Sequence, residues 1–306
     1  MLNVCNYHYI RENFESKFPS IFGVTPLFFE KQLKAIRNIG DFITPAQLVD
    51  DGESILNSND TYYLVSFDDG LKEQIEIAVP ILEDLNLQAI FFANSINRNE
   101  QKVSVVHKIH LLRSIISSKE MFKKMDFSTK IALSESDKKE AIITYRFDDK
   151  ESAILKYVLN FKLNFKDQEL IIGSIFKEYF DENEVLDNLY MTEKDLEYLA
   201  KKGCLGSHTH SHYPLGLLAD ENIKFELQYS KKYLEELAST NIKLVSYPYG
   251  TPETATETVA EIACDLGYKF GFTTTKGTNS NTSNRLLLNR FDCNDLIGGK
   301  NYRKKI

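Results

Sequence analysis

Two adjacent carboxylates stand where they could divide the work of a reaction. Asp68 and Asp69, in the segment LVSFDDG, follow an apolar run and precede Gly70. Asp-Gly after a strand is often a hairpin turn, but one carboxylate could instead bind a metal while its neighbour moves a proton. The next residues, LKEQIEIAVPIL, have helical spacing and no second alternating strand. The pair is therefore predicted at the carboxyl end of a strand, where parallel α/β folds bind ligands.

A histidine cluster is the second candidate for chemistry. His208, His210 and His212, in CLGSHTHSHYPLG, are half of the six histidines in the chain. Neutral imidazole binds zinc well. On a regular strand all three would share a face, whereas a turn after His208 would let His208 and His212 converge. A polar surface loop is the alternative. His208 and His212 would form, with Asp69, a set of two histidines and one carboxylate that leaves coordination positions open, as is typical of catalytic metal sites. Asp68 would then be the adjacent base.

Alternating strands and helices must position these residues. Strand-like runs lie at 3–10, 61–67, 88–95, 243–249 and 269–275, and helical patterns lie at 71–85, 221–239 and 252–267. Pro80 should kink or restart its helix. This order predicts an α/β fold with a mainly parallel sheet, open or closed into a barrel.

Residues 97–190 break the alternation. They contain helical patterns without clear strands, which predicts a mostly helical insertion or lid. His107 and His110 lie one helical turn apart there and could form a metal pair. Because no carboxylate partner stands out nearby, a helix-surface or lid contact is the favoured interpretation.

Composition narrows the class of protein. With 306 residues, 42% of them hydrophobic and 26% charged, the chain can fold as one large α/β domain or as two smaller ones. A net charge of −7 argues against a general nucleic-acid or membrane-surface binder. The first residues do not resemble a signal peptide, and no run is long and apolar enough to span a bilayer. The sequence therefore predicts a cytoplasmic protein of unspecified oligomeric state.

Three motifs in order carry a family resemblance. SFDDG, SHTHSH and SYPYG resemble the NodB-homology polysaccharide deacetylases, carbohydrate esterase family 4. The resemblance implies a distorted (β/α) barrel with a single deacetylase domain over 1–306, interrupted by the insertion at 97–190. It also implies that Asp68 is the general base and that Asp69, His208 and His212 hold one divalent metal, expected to be zinc. His210 has no role in the family pattern.

The resemblance implies that the third motif lines one side of the substrate groove, and this chain departs from the family pattern there at one residue. Pro248, Tyr249 and Gly250 match its Pro-Tyr-Gly, and the Tyr249 backbone N–H is expected to help hold the oxyanion. Many members have an arginine two places before the proline, whereas this chain has Ser246. Arg290 is a candidate substitute, and an ordinary strand-terminal ion pair is the alternative for it.

The general acid is a second departure. The family uses a late histidine, but no histidine follows His212. In the permuted poly-N-acetylglucosamine deacetylase-like group the corresponding histidine lies near the N-terminus, as His8 does in CNYHYI. His8 is therefore the candidate acid, and a histidine with only local hydrogen bonds is the alternative. The resemblance covers residues 1–95 and about 190–292.

The function implied by the resemblance is metal-dependent removal of N-acetyl groups from a sugar or glycan precursor, in surface polysaccharide metabolism. Its substrate would be an N-acetylated sugar, nucleotide sugar or oligosaccharide, with no nucleic-acid partner. The same site could act as an O-deacetylase or a non-sugar amidase. A magnesium phosphotransferase is disfavoured because no Gly-rich phosphate loop is present. A non-catalytic carbohydrate-binding relic is disfavoured because the candidate metal set is complete.

Overall fold

A computed structural model describes residues 1–13, 18, 23–129, 133–146 and 148–302. The strands are short and lie mostly in the two parts of the chain that carry the motifs. They are β1 (Leu2–Tyr7), β2 (Asp41–Phe42), β3 (Tyr62–Phe67), β4 (Ala89–Ala93), β5 (Leu205–Ser207), β6 (Leu244–Ser246), β7 (Phe270–Phe272) and β8 (Phe291–Asp292). All five strand-like runs of the sequence analysis contain a strand, and β2, β5 and β8 are additional short ones.

These strands form one parallel sheet. Its order is β7-β6-β5-β4-β3-β1-β8, with β2 paired to β3. The longest register pairs β1 with β3, from Leu2 opposite Tyr62 to Tyr7 opposite Phe67. The segment before β8 also bonds to β7, since Leu288 N–H donates to the Gly271 carbonyl at 2.7 Å. The sheet therefore curls into a distorted (β/α) barrel, which confirms the predicted fold class.

Helices connect the strands. They are α1 (Pro26–Arg37), α2 (Pro45–Asn57), α3 (Val79–Asp84), α4 (Ile96–Asn99), α5 (Val105–Ile115), α6 (Ser118–Thr129), α7 (Glu135–Thr144), α8 (Lys150–Tyr157), α9 (Phe165–Phe176), α10 (Glu182–Leu189), α11 (Glu193–Lys201), α12 (Asp220–Ala238) and α13 (Glu257–Asp265), with π-helical turns at Gln74–Ala78 and Val158–Lys162 and a 3-10 turn at Leu215–Leu217. Pro80 was predicted to kink or restart its helix; the helical hydrogen-bond pattern changes there from a π-helical turn to α3, which begins at Val79.

The helix predicted from residue 252 begins later. Its first residue is Glu257, and the Thr256 hydroxyl caps it by accepting the Val259 N–H. The five residues before Thr256 form a turn instead, in which the Thr254 hydroxyl accepts the Thr251 N–H at 2.9 Å. Threonine side chains that bond local backbone compete with helix formation, which explains the later start.

Apolar residues on the two faces of the sheet enter two separate hydrophobic clusters. In β1, Cys5 and Tyr7 pack with the outer helices, whereas Leu2 and Val4 pack with α2 and the inner face. The strands are thus buried on both sides, as expected when helices cover a parallel sheet. Such burial gives the strand ends a fixed relative position.

The chain divides into two compact units. The first comprises the described residues of 1–102 apart from Phe18, together with those of 186–302. The second comprises Phe18 and the described residues of 103–185, which include α5–α9. One of its ion pairs joins Lys108 Nζ to Glu182 Oε1 at 2.6 Å. No helix of the described residues is long and apolar enough to cross a membrane.

Candidate active site

The carboxyl ends of four strands bring the three motifs together. His8 is the first residue after β1, Asp68 the first after β3 and His208 the first after β5, while Pro248 follows β6 by two residues. Parallel strands end at one edge of the sheet, so these residues meet there. The aspartate pair therefore does not close a hairpin.

Asp69, His208 and His212 converge on one point. Asp69 Oδ1 lies 3.5 Å from His208 Nε2 and 3.3 Å from His212 Nε2. The side chains are 6%, 3% and 9% exposed, respectively. Among the described residues, these three form the group whose ligand atoms all lie within 4.8 Å of one another. His107 and His110 of α5 do not belong to it.

The geometry of this group fits zinc. Bonds of about 2.1 Å in a tetrahedral arrangement place neighbouring ligand atoms about 3.4 Å apart, close to the two distances from Asp69 Oδ1. His208 Nδ1 donates to the Ser246 carbonyl oxygen at 2.8 Å, which leaves Nε2 free of its proton to face Asp69. Two imidazole nitrogens and one carboxylate are also the donor set of an open catalytic zinc site.

The local electrostatics favour a positive charge at this point. Burial lowers the pKa of His208, but the nearby carboxylates of Asp68 and Asp69 outweigh this effect, so the net shift of its pKa is upward. An environment that stabilises a protonated imidazole would also stabilise a bound cation.

Unusual backbone conformations present several of the motif side chains. Asp69 has φ 78°, Thr209 has φ 65°, His212 has φ 62° and Tyr249 has φ 62°. Left-handed conformations are costly for residues with a side chain and tend to accumulate at functional sites. Here they turn Asp69 and His212 toward His208, an arrangement that a regular strand or helix would not provide.

A buried arginine from the last part of the barrel holds Asp68. Arg290 Nη1 and Nη2 lie 2.8 and 2.7 Å from the two carboxylate oxygens, and both side chains are at most 2% exposed. Arg290 is fixed in turn by the Thr273 carbonyl and by Asn6 Oδ1. Burial alone would raise the pKa of Asp68, but Arg290, with His208 and His8, holds it well below its ordinary value.

Arg290 therefore contacts Asp68 directly, whereas the Ser246 side chain does not. The bidentate contact is the geometry that arginine and carboxylate prefer. Ser246 is itself fully buried and contributes its backbone oxygen to His208 rather than a side chain to Asp68.

His8 lies next to the buried Asp68 and is itself partly exposed to solvent. Its Nε2 is 3.8 Å from Asp68 Oδ2, and the side chain is 39% exposed. The Gln74 amide donates to the carbonyl oxygens of both His8 and Asp68, at 2.9 and 2.6 Å. Because Gln74 is completely buried, it links the N-terminal segment to the first motif.

Sequence reasoning did not identify Gln74 or Asn6. Both act on the site through hydrogen bonds between distant segments, and neither residue type signals such a role. The π-helical turn that begins at Gln74 is the one local clue, since such turns are frequent near functional sites.

The third motif forms one wall beside the histidines. The Tyr249 ring centroid is 5.3 Å from that of His212, and the residue is 46% exposed. Gly250 has φ 57°, and a β-carbon there would lie 2.5 Å from Thr274 N. Only glycine fits this position, because the chain passes so close to the strand end beyond β7.

Comparisons with known proteins support this assignment of the fold. The model of the polysaccharide deacetylase family matches residues 135–271, a span that contains His208, His212 and the third motif but not the aspartate pair. No curated protein matches the chain.

Three solved structures illustrate the likeness. The Streptococcus pyogenes deacetylase PplD in complex with acetate is 19% identical, with a TM-score of 0.58 over 95% of this chain and 91% of that one. IcaB from Ammonifex degensii is 17% identical, with a TM-score of 0.57 over 94% and 90%. The BpsB deacetylase domain from Bordetella bronchiseptica is 14% identical, with a TM-score of 0.55 over 95% of each chain. The chain is thus similar to the polysaccharide deacetylase family over residues 135–271, and it shares its fold with these deacetylase structures.

Proposed function

We propose that the protein is a metal-dependent hydrolase that removes N-acetyl groups from a carbohydrate. The observation that carries this proposal is the placement of two adjacent carboxylates in different surroundings. Asp69 faces two histidines, whereas Asp68 is bound to Arg290. One site thus offers a cation-binding set and a separate proton acceptor, as the hydrolysis of an amide requires.

Asp69, His208 and His212 would hold the metal. A divalent ion bound there would acidify a water molecule and polarise the acetyl carbonyl. The donor set suits zinc, which we propose as the resident ion.

Asp68 would accept the proton of the attacking water. Its lowered pKa keeps the carboxylate ionised at neutral pH, so it is ready to act as a base. The Arg290 contact also fixes its orientation, because both carboxylate oxygens are bound. Orientation of this kind is a large part of general-base efficiency.

The Tyr249 N–H would donate to the oxyanion that forms on the acetyl carbon. A single donor of this kind lowers the barrier by about 3–4 kcal/mol in other enzymes. The unusual backbone conformation at Tyr249 is consistent with this role.

His8 would protonate the leaving nitrogen. Its exposed position at 3.8 Å from Asp68 lets it reach a bound substrate while remaining close to the base. After the carbon–nitrogen bond breaks, the proton held by Asp68 can pass to His8, which restores both groups for another turnover. Acid catalysis is essential here because an unprotonated amide nitrogen is a poor leaving group.

Acetate release provides the test. Purified protein supplied with zinc would be incubated with N-acetylated hexosamine oligosaccharides, N-acetylated nucleotide sugars and O-acetylated sugars. We expect one new primary amine for every acetate released from an N-acetylated substrate. Acetate release confined to the O-acetylated sugars would indicate an esterase, and the absence of acetate from every substrate would contradict the proposal.

A further inference from the structure

His210 lies at the centre of the second motif but does not join His208 and His212. Its side chain is 4% exposed and lies outside the group that could hold a metal. The residue contacts two separate elements instead, and these contacts suggest what it does.

Both ring nitrogens of His210 are hydrogen bonded. Nδ1 is 2.8 Å from the Ser95 hydroxyl, and Nε2 is 2.9 Å from Glu100 Oε1. In the neutral ring, Nε2–H donates to the carboxylate while Nδ1 accepts the Ser95 hydroxyl proton. Ser95 and Glu100 are the residues immediately before and after α4, so the ring bonds to both ends of this short helix.

Aromatic residues of α12 pack against the same ring. The His210 ring centroid is 4.6 Å from that of Tyr229 and 5.8 Å from that of Phe225, both in edge-on arrangements. The next residue is also bound to this helix, because Ser211 N–H donates to the buried Glu226 carboxylate at 2.7 Å. The loop is thus attached both to α12 and to the segment around α4.

These contacts stabilise a backbone conformation that is otherwise unfavourable. Thr209 and His212, on either side of His210, have φ of 65° and 62°. Non-glycine residues remain in this region only when surrounding contacts fix them. Backbone bonds help, since Ser95 N–H donates to the Thr209 carbonyl and Ile96 N–H to the His210 carbonyl. The imidazole is the side chain of the loop that adds two further bonds to the same segment.

We propose that His210 is a positioning residue, which holds the loop so that His208 and His212 face Asp69 together. This inference rests on the metal site of the proposed function. It assigns His210 no contact with the metal or the substrate. Its effect is to fix the conformation in which the two neighbouring histidines can bind one ion.

The arrangement of Ser95, His210 and Glu100 also resembles a nucleophilic triad, but burial argues against that use. Ser95 is completely inaccessible to solvent, so no substrate carbonyl could reach its hydroxyl. The three residues therefore act through structure and not through covalent chemistry.

Zinc affinity of the folded protein tests the proposal. We would measure it by competition with a chelating dye for wild type, Glu100→Ala, Ser95→Ala and His210→Phe. The phenylalanine keeps a ring of similar size but removes both hydrogen bonds. Removal of outer groups that orient metal ligands typically weakens binding about 10–100-fold, and we expect losses in this range, largest for His210→Phe.

Lys102→Met is the matched control. Lys102 is the other partner of Glu100, at 2.8 Å, and its loss leaves the His210 bond intact, so zinc affinity should stay at the wild-type value. Thermal unfolding of the metal-free variants identifies conditions in which all of them are folded.

The outcomes separate the two proposals. The role of His210 would be overturned, and the metal site left in place, if the zinc affinity stayed at the wild-type value in all three folded variants, Glu100→Ala, Ser95→Ala and His210→Phe. Reduced thermal stability of these variants would not change that conclusion. Failure of the wild-type protein to bind zinc would contradict the proposed function and, with it, this inference. Selective weakening relative to Lys102→Met would support both.

Discussion

Two sides of the candidate active site are held in place by different means. The metal side consists of Asp69, His208 and His212, and backbone conformation aims its side chains: Asp69 and His212 are both left-handed. The base side consists of Asp68, Arg290 and His8, and there a buried ion pair between distant strands fixes the carboxylate. The neighbouring aspartates thus have different surroundings, because Asp69 is oriented by its own φ angle and Asp68 by a partner side chain.

This difference has a consequence for substitutions. Changes on the metal side should abolish ion binding and all activity that depends on it. Changes on the base side should leave ion binding intact and reduce only the chemical step or the stability of the ion pair. The following predictions test that separation, from the largest expected effect to the smallest.

Removal of a metal-side histidine should have the largest effect. In His212→Ala, one of the three ligand atoms is lost, so we expect zinc affinity to fall by more than the 10–100-fold typical of outer residues. Acetate release should disappear with it. His110→Ala is the control, because His110 lies in α5 outside the candidate group, and it should bind zinc as wild type does. Equal zinc content in His212→Ala and wild type would break the metal-side assignment.

His8→Gln should keep the metal and lose most of the turnover. Acid–base groups typically contribute about 10²–10⁴-fold, and we expect a loss in that range for acetate release. Direct zinc analysis should show wild-type content because His8 is not among the ligand atoms. The limb of the pH–rate profile that reports the protonated acid should also vanish. If turnover keeps its wild-type pH dependence, the acid lies elsewhere.

Arg290→Gln should destabilise the protein and raise the pKa of Asp68. Breaking a buried ion pair on one side costs about 3–5 kcal/mol. Burial then becomes the dominant influence on Asp68, since it already opposes the lowering by Arg290. We expect the acid limb of the pH–rate profile to move to higher pH than in wild type.

The contribution of Asp68 to the pH dependence of the free energy of unfolding should change sign in Arg290→Gln. In wild type the folded pKa of Asp68 is lowered, so its stabilisation is present above about pH 4, the unfolded value, and is lost as pH falls through the folded pKa. In Arg290→Gln the folded pKa is raised, so stability should instead decline as pH rises through it. Arg285→Gln, an exposed neighbour, should change stability by about 0.5 kcal/mol or less. Identical pH profiles for both variants would contradict the bracing role.

Tyr249→Phe should have the smallest effect on catalysis. The proposed oxyanion contact uses the backbone N–H, which the substitution retains, so the loss should be far below the about 10²-fold cost of removing such a donor. Acetate release and substrate KM would be compared with wild type. A loss of that full size would assign the contribution to the phenol rather than to the backbone.

Much of the site could be predicted from sequence because strand ends are easy to recognise. The apolar run before Asp68 and the helical spacing after it place the aspartates at the edge of a parallel sheet, and the order of the three motifs resembles that of the polysaccharide deacetylases. The convergence of Asp69, His208 and His212 follows the family pattern. The left-handed backbone of Asp69, Thr209, His212 and Tyr249 could not be predicted, since residues with a side chain rarely adopt it.

Long-range side-chain contacts were the least predictable part. Arg290 was one candidate with an ordinary ion pair as its alternative, and only the fold places it on Asp68. The roles of Gln74 and Ser95 could not be predicted, because a single buried amide or hydroxyl produces no recognisable pattern in the sequence. The strands β2 and β8 were missed as strands of their own, since two residues are too few to display alternation.

The central claim is that Asp69 binds the ion and Asp68 moves the proton. Its most direct test is zinc content and acetate release measured side by side for Asp68→Asn and Asp69→Asn. We predict that Asp68→Asn retains zinc and loses acetate release, whereas Asp69→Asn loses both. Loss of zinc from Asp68→Asn with retention in Asp69→Asn, or acetate release at the wild-type rate by Asp68→Asn, would contradict this division of roles.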